Sequence, residues 1–325
     1  MYETGHFAHA VAEDGEAARA SSPSSSPATG AAAPTRRRSR RACSEDKAHA
    51  IKAVCVVHNE TATGVVIAHR RSARARSTRA KHPALLLVDT ISSLASIDYR
   101  HDEWGVDVTV GGSQKGLMLP PGLSFNALSA KALAASKTRE AAAQLLGLGR
   151  NDRQQQGRLL PLHAGDQPAL RPARGARRCC SRRKAWTTCS RRHQRHAEAT
   201  RRAVRAWGLE VLAQNPAEYS SFAHRRADAR GPRRRPACAR SSSRISTCRS
   251  APGLGKLAGK VFRIGHLGDF NDLTLLGTLA GLRDGAGAGR RADQAARACS
   301  AAMEYLAECR RSTGVAVENA RGLNT

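Results

Sequence analysis

The 325-residue chain has few aromatic residues and no long apolar run, and both absences limit the class of protein it can be. Phe, Trp and Tyr together make up 4% of the residues. No uninterrupted apolar run approaches the roughly 18 residues that a transmembrane helix needs. The first residues also lack the basic and apolar segments of a secretory signal. These absences predict a cytoplasmic protein with no membrane partner.

The nine cysteines are odd in number and form no C-x-x-C pair. No Cys and His residues share the spacing of a zinc site, and the adjacent Cys179 and Cys180 would make a poor pair of ligands. We therefore expect no metal site, and free thiols in a reducing compartment.

The formal net charge of +28 is unevenly distributed along the chain. Residues 84–137 hold four Lys and Arg against five Asp and Glu, whereas residues 221–250 hold nine Arg against one Asp. The basic tracts contain Arg with little Lys and few aromatic residues, but a nucleic-acid groove usually mixes Lys and Arg with stacking aromatics. We expect no nucleic-acid partner, and a basic nucleic-acid-binding protein is the less favoured alternative.

Hydrophobic periodicity divides the chain into periodic segments, which read as strands and helices, and Arg-rich tracts without such a period. Residues 49–66 and 82–94 each read as an apolar strand followed by a polar turn, and residues 104–122 as a strand with a Gly-Gly turn. Residues 192–216 read as an amphipathic helix, Gly208 and a short strand. Residues 259–282 read as a strand, a loop and a helix capped at Asn271–Asp272. This order predicts an α/β protein with buried strands.

The periodic segments resemble the class V aminotransferases, which use pyridoxal phosphate. The stretches that carry the resemblance are "ETGHFA", "HNETATGV", "DTISSL", "GSQKG" and "VFRIGHLG". It is greatest to the branch that transfers an amino group from serine, or alanine, to glyoxylate. The resemblance implies fold type I of the pyridoxal-phosphate enzymes, which has a mostly parallel sheet with flanking helices and a small C-terminal α/β domain. It also implies amino-acid and 2-oxo-acid substrates and a homodimer.

The resemblance divides the chain into an altered N-terminal part, a cofactor-binding core, an altered segment, a small domain and a tail. The predicted boundaries are 1–48, 49–137, 138–192, 193–310 and 311–325, with residues 221–250 altered within the small domain. We expect the Arg-rich tracts to be unstructured.

Three residues are expected to carry the chemistry. By resemblance, Lys115 forms the Schiff base with the cofactor aldehyde and then moves a proton from the substrate α-carbon. Asp89 ends a buried strand, where α/β sheets place ligand-binding groups, and the resemblance pairs it with the pyridine nitrogen. Arg263 matches the arginine that binds the substrate carboxylate, to which a planar guanidinium is suited.

Four further residues match cofactor contacts of the family. Ser113 and Gln114 match contacts on the phosphate side of the cofactor. Thr61 matches a hydrogen-bond partner of the ring hydroxyl oxygen, and Ile91 matches a residue that packs beneath the ring.

Other parts of the family pattern are missing from the chain as written. We expect the glycine-rich phosphate-binding turn and the stacking aromatic residue to belong to sequence that is absent or altered before His49, so that the chain is N-terminally truncated. In a shifted reading frame, residues 159–169 read as F-F-P-Y-T-P-A-T-N-L and residues 184–191 as E/G-L-D-N-V-F-S. Residues 245–253 read as F-D-M-S-L-G-A-G in the same way. Leu162 and His163 cannot replace the Tyr and Thr of that first segment, which in the family dimer reaches the neighbouring active site. The alternative to a working aminotransferase is therefore the inactive product of a degraded or frameshifted gene.

Overall fold

The computed structural model describes residues 2–3, 5–17, 26–27, 41, 43–67, 82–137, 183–221, 223–226, 250–254, 257–258, 261–285 and 292–321. The strands are β1 (Tyr2–Glu3), β2 (Ser26–Pro27), β3 (Ala53–Val57), β4 (Asn59–Glu60), β5 (Val65–Val66), β6 (Leu85–Asp89), β7 (Val108–Gly112), β8 (Ser124–Leu128), β9 (Ala223–Arg226), β10 (Ser250–Pro252) and β11 (Val261–Ile264). The helices are α1 (His6–Ala17), α2 (Ala130–Lys137), α3 (Arg183–Ala206), α4 (Asp272–Gly285) and α5 (Ala292–Arg321).

The larger sheet has the strand order β3-β6-β7-β8. Strands β3, β6 and β7 are parallel, and β8 is antiparallel to β7. Leu86 and Val88 are buried along β6 and pack in one cluster with Trp104. Because β6 and β7 are parallel neighbours, their carboxyl ends lie at the same edge of the sheet, and Asp89 pairs in register with Val110 there.

The smaller sheet has the antiparallel order β10-β11-β9 and packs against the last three helices. Phe262 on β11, Val204 on α3 and Leu275 on α4 share one buried cluster with Leu306 on α5. Helix α4 begins after Asn271, whose Oδ1 accepts a hydrogen bond from Thr274 N at 2.8 Å, so the predicted cap is confirmed.

A short hairpin connects the two sheets. Strands β4 and β5 are joined by a turn in which Gly64 has a φ of 73°, a left-handed conformation that favours glycine. Ser220 N donates to Gly64 O at 2.9 Å, and Val65 forms an isolated bridge with Tyr219. The smaller domain is thereby hydrogen-bonded to the hairpin that follows β3.

Helices and strands lie in three of the segments that we expected to be altered, unstructured or a tail, and the domain limits themselves stay a prediction. Helix α3 begins at Arg183, inside the segment 138–192 that we expected to be unstructured, and α5 runs to Arg321, into the expected tail. Strand β9 lies within residues 221–250, because main-chain pairing with β11 does not require an apolar pattern. The expected alteration of residues 159–169 lies outside the described residues, as do residues 68–81 and 227–249.

The strand expected between Gly208 and Pro216 does not form, and only Val211 makes a β-bridge there. The segment ends in a 3-10 turn at Pro216–Glu218, where Asn215 Oδ1 accepts a hydrogen bond from Ala217 N at 3.1 Å. Pro216, which has no N–H to donate to a neighbouring strand, begins this turn. Over the described ranges, no helix is both long and apolar enough to cross a bilayer.

Candidate active site

Asp89 lies at the carboxyl end of β6 with its carboxylate largely buried. Its Oδ1 accepts a hydrogen bond from Ile91 N at 2.7 Å, and across the described ranges no donor reaches Oδ2. Burial raises the pKa of Asp89, and the bond from Ile91 only partly opposes that shift. A cationic N–H at Oδ2 would favour the ionised form of such a carboxylate.

Lys115 follows β7 in a turn that approaches the segment after β6. A Cβ on Gly116 would lie 2.1 Å from Leu94 O, and one on Gly111 would lie 2.8 Å from Leu94 Cδ2, so both glycines allow close backbone packing. The Lys115 side chain is half-buried. Burial lowers the pKa of its ammonium, and the positive charge of Arg263 lowers it further. An amine of this kind is more often neutral, and so nucleophilic, than an exposed lysine.

Arg263 comes from the smaller sheet. It lies on β11, in register with His224 on β9 and Ala251 on β10. Its guanidinium is half-buried, which lowers its pKa, while the negative charge of Glu60 raises it. The charge of Arg263 on β11 therefore acts on Lys115 of the larger sheet's turn, and the charge of Glu60 acts on Arg263.

Hydroxyl and amide groups form a network beside Asp89. Thr61 Oγ1 donates to Ser92 Oγ at 2.9 Å, and Ser92 Oγ donates to Asn59 O at 2.9 Å. Asn59 Nδ2 donates to Ser92 Oγ at 3.1 Å, and the buried Asn59 Oδ1 has no donor among the described residues. Thr61 therefore has lone pairs left for a ligand, and its expected contact with a ring hydroxyl stays a prediction.

The remaining expected contacts occupy different environments. Ser113 is fully buried, and its Oγ donates to Pro120 O at 2.6 Å and accepts from Leu123 N at 3.3 Å. In this conformation Ser113 holds the loop before β8, and its phosphate contact stays a prediction. Gln114 is exposed in the same turn. Ile91 packs near Gly112, on which a Cβ would lie 3.4 Å from Ile91 Cγ2.

Sequence reasoning missed Glu60 and the N-terminus of α1. Glu60 is 0% exposed, and its Oε2 accepts a hydrogen bond from Ala8 N at 3.1 Å. The start of α1 therefore lies beside β4, although residues 1–48 were expected to be altered. The two segments pack closely, because a Cβ on Gly5 would lie 2.6 Å from Glu60 Cγ, and no pattern in the sequence indicates this contact.

Charge effects on pKa link these groups one to the next: Asp89 acts on Glu60, Glu60 on Arg263, and Arg263 on Lys115. The groups include an amine of lowered pKa, a carboxylate with an oxygen that can accept an N–H, and a guanidinium that can bind a carboxylate. The described residues contain no cluster of His, Cys, Asp and Glu that could hold a metal ion. The amine, the carboxylate and the guanidinium together suit an aldehyde-bearing aromatic cation and a carboxylate substrate.

Comparison with known proteins identifies relatives of this chain. Residues 37–149 match the model of the aminotransferase class-V family. A serine–glyoxylate aminotransferase of Methylorubrum extorquens is 40% identical over 248 residues, which cover 73% of this chain and 59% of that protein. An L-aspartate–glyoxylate aminotransferase of Paracoccus denitrificans is 40% identical over 249 residues, covering 72% and 58%. The chain thus spans less than two thirds of the length of these relatives.

Solved structures share the fold. The ureidoglycine–glyoxylate aminotransferase of Bacillus subtilis superposes with a TM-score of 0.79 at 22% identity, covering 94% of this chain and 78% of that one. The pyridoxamine–pyruvate aminotransferase of Mesorhizobium loti superposes with a TM-score of 0.75 at 21% identity, covering 94% and 77%. The α/β fold expected from the sequence, a mostly parallel sheet with flanking helices, is confirmed.

Proposed function

Because residues 37–149 belong to the class-V aminotransferase family, we propose that this chain is a pyridoxal-phosphate-dependent aminotransferase. The observation that carries the proposal is that Asp89 ends β6 and Lys115 follows the parallel neighbour β7 at the same edge of the larger sheet, while the positive charge of Arg263 on β11 acts on Lys115. Pyridoxal phosphate, when bound, supplies an electron-accepting ring that stabilises negative charge at the substrate α-carbon.

Lys115 would hold the cofactor and move the proton. Its Nζ, kept more neutral by burial and by Arg263, can attack an aldehyde carbon. Once released by the incoming amino acid, the same nitrogen can take a proton from the substrate α-carbon.

Asp89 and Thr61 would orient the ring. Asp89 Oδ2 can accept a hydrogen bond from a protonated ring nitrogen, and the opposite charges would keep that proton in place. Thr61 lies on the hairpin beside the same edge, where its remaining lone pairs can accept from a ring hydroxyl. Ser113, Gln114 and Ile91 are proposed as further cofactor contacts.

Arg263 would select the substrate by its carboxylate. A guanidinium binds a planar carboxylate through two parallel hydrogen bonds, which fixes the orientation of the α-carbon above the ring. We propose serine, or alanine, as the amino donor and glyoxylate as the acceptor, in line with the names of two relatives. We also propose a homodimer in the cytoplasm.

The competing proposal is an inactive product of a frameshifted gene. It is favoured by the Arg-rich composition of residues 221–250 and by the family-like reading of residues 159–169 in another frame. A single experiment separates the two proposals, because only a working site makes one lysine react with pyridoxal phosphate much more readily than the other lysines.

The expected reaction of Lys115 with pyridoxal phosphate can be tested by trapping the adduct chemically. The chain is incubated with pyridoxal phosphate, reduced with borohydride, digested and analysed by mass spectrometry. We expect one dominant adduct on Lys115, lost in Lys115→Ala and retained in Lys137→Ala, which removes an exposed lysine of α2. Formation of hydroxypyruvate from serine and glyoxylate would then establish the donor. Adducts spread evenly over surface lysines would refute the aminotransferase proposal and support the inactive product.

A further inference from the structure

The β11–α4 loop of the smaller domain, residues 265–271, reaches the turn that carries Lys115. A Cβ on Gly268 would lie 2.9 Å from Met118 Cγ and 3.3 Å from Met118 Sδ, so the Met118 side chain packs directly on the backbone of Gly268. Gly268 also has a φ of 85°, a conformation that favours glycine. The loop therefore gives Met118 a contact that a residue with a side chain at position 268 would disturb.

Met118 belongs to the lysine turn, residues 113–119. Its N donates to Lys115 O at 3.0 Å, and Leu119 N donates to Ser113 O at 3.0 Å, so two main-chain hydrogen bonds close the turn around the lysine. Met118 has a φ of 59°, a left-handed conformation that is unfavourable for a residue with a side chain and persists only where the surroundings hold it. The contact with Gly268 supplies part of that support from the smaller domain.

Two side chains of α3 hold Gly268 by its main chain. Gly268 N donates to His193 Nε2 at 3.3 Å, and Arg192 Nη2 donates to Gly268 O at 2.7 Å. His193 is 1% exposed, and its Nδ1 donates to Cys189 O at 2.7 Å. A carbonyl can only accept and a backbone N–H can only donate, so these bonds fix the His193 ring in one neutral tautomer. The ring cannot turn away without breaking both bonds.

We propose that His193 is a positioning residue for Lys115: it holds the β11–α4 loop by Gly268, and the loop supports the lysine turn through Met118. Each step is a hydrogen bond or a packing contact, and the path crosses from the smaller domain to the larger sheet. The proposal deepens the proposed function and rests on it for the reaction that Lys115 performs. The contacts belong to the chain without cofactor, so they can be measured without turnover.

A matched pair of substitutions separates the two bonds of His193. His193→Asn keeps a donor near the position of Nδ1 but is too short to reach Gly268 N. His193→Gln keeps an acceptor near the position of Nε2 and loses the bond to Cys189 O. Each variant therefore removes one hydrogen bond from the same buried site, and only His193→Asn releases the β11–α4 loop.

Amide hydrogen exchange, measured without cofactor, reports on both ends of the path. In His193→Asn we expect exchange to be about fivefold faster in residues 265–271 and about two- to threefold faster in residues 114–119. In His193→Gln both segments should exchange at the original rates. A role confined to the smaller domain would change residues 265–271 alone. Unchanged exchange of residues 114–119 in His193→Asn, or the same increase in both variants, would overturn the proposal.

A second background tests the contact between the loop and the lysine turn. Met118→Ala removes the side chain that packs on Gly268. Adding His193→Asn to Met118→Ala should still speed exchange of residues 265–271, but it should leave residues 114–119 at the rate of Met118→Ala alone. Faster exchange of residues 114–119 in the double variant would overturn the proposal, because the effect would then bypass Met118.

Arg192→Met keeps the test usable if a change at the buried His193 unfolds the smaller domain. The Arg192 side chain is 27% exposed, and methionine retains most of its apolar stem while removing the donor to Gly268 O. Exchange of residues 114–119 should rise about twofold. Arg191→Met, the same change at the exposed neighbour on α3, should match the unchanged chain, as should residues 53–57 of β3 in every variant. A rise that includes residues 53–57 equally would overturn the proposal, because no specific path to the lysine turn would remain.

Trapping with borohydride connects the lysine turn to the proposed reaction. At limiting pyridoxal phosphate, the yield of the Lys115 adduct should fall about two- to threefold in His193→Asn and return to its original level in His193→Gln. Equal yields above zero in the two variants would overturn the positioning role. A chain that shows the exchange changes but forms no Lys115 adduct would retain the path from His193 to the lysine turn and lose the proposed function.

Discussion

Gly116 is the residue that lets the lysine turn approach the segment after β6. A Cβ at this position would lie 2.1 Å from Leu94 O and 3.1 Å from Ala95 Cβ. Ala95 is itself held at a φ of 63°, so the backbone it belongs to has little freedom to move away. The position of Lys115 thus depends on the residue that follows it having no side chain.

Gly116→Ala should destabilise the fold. We expect the overpacked contact to lower the free energy of unfolding by about 1–3 kcal/mol, measured by urea denaturation. The matched control is Gly277→Ala on α4, where a Cβ has no neighbour within 4 Å. There the better helix propensity should raise the free energy by about 0.5–1 kcal/mol. Equal effects at the two sites would contradict the packing described for the lysine turn.

Residues of the candidate site differ in how much of their role the sequence predicts. Lys115, Asp89 and Arg263 stand in short motifs whose resemblance to a family points to them directly, so the sequence is enough to assign their expected roles. Glu60 stands in such a motif too, but its partners are the amides of α1, about fifty residues earlier in the chain. No local pattern reports a hydrogen bond to a backbone group so far away.

At the scale of elements, Asp272 holds the helices of the smaller domain together. Its Oδ1 accepts from Arg195 Nη2 at 2.6 Å and lies 2.9 Å from His196 Nε2, both on α3. Its Oδ2 accepts from Arg310 Nη2 of α5 at 3.0 Å. One carboxylate at the start of α4 therefore connects three helices, and these bonds lower its pKa against the opposing effect of burial.

Asp272→Asn should loosen this junction. The amide has one acceptor oxygen instead of two and no charge, so we expect the free energy of unfolding to fall by about 2 kcal/mol in urea denaturation. Asp269→Asn is the control, because the Asp269 side chain is 73% exposed and its ion pair with Arg192 lies at the surface. That variant should change the free energy by less than about 0.5 kcal/mol. A larger loss at Asp269 would contradict the assignment.

At the scale of the whole molecule, buried histidines make stability depend on pH. Burial lowers the pKa of His58 and of His193 to about 4, and that of His266 to about 3. His58 directly follows β3 of the larger sheet, with its ring centroid 5.4 Å from that of Tyr99, whereas the other two lie in the smaller domain. Both domains therefore bury imidazole rings in the neutral form.

The sign of the pH dependence follows from these shifts. Above pH 6.5 the histidines are neutral in both folded and unfolded chains. Between pH 6.5 and about 4 the unfolded chain binds protons that the folded chain excludes, so stability falls as the pH falls. At pH 5 each of the two histidines with a pKa of about 4 should lower the free energy of unfolding by about 1–2 kcal/mol relative to pH 7.5.

Urea denaturation at pH 7.5 and at pH 5 measures the change in the free energy of unfolding between the two pH values. His58→Gln, which has no proton to gain in this range, should show a shallower pH dependence than the original chain. The carboxyl groups of Glu60 and Asp89, whose pKa values are raised by burial, act in the opposite direction and moderate the slope. Identical slopes for the variant and the original chain would contradict a neutral, buried His58.

The sequence by itself determined the α/β class and the strand ends that carry Asp89 and Lys115, because hydrophobic periodicity and turn glycines act over a few residues. The cap of α4 at Asn271 was determined in the same way. Only the tertiary structure decided that β9 joins the smaller sheet, that α3 begins at Arg183, and that Glu60 accepts a hydrogen bond from the start of α1. These outcomes depend on main-chain pairing and on hydrogen bonds between distant segments, and neither leaves a local pattern in the sequence.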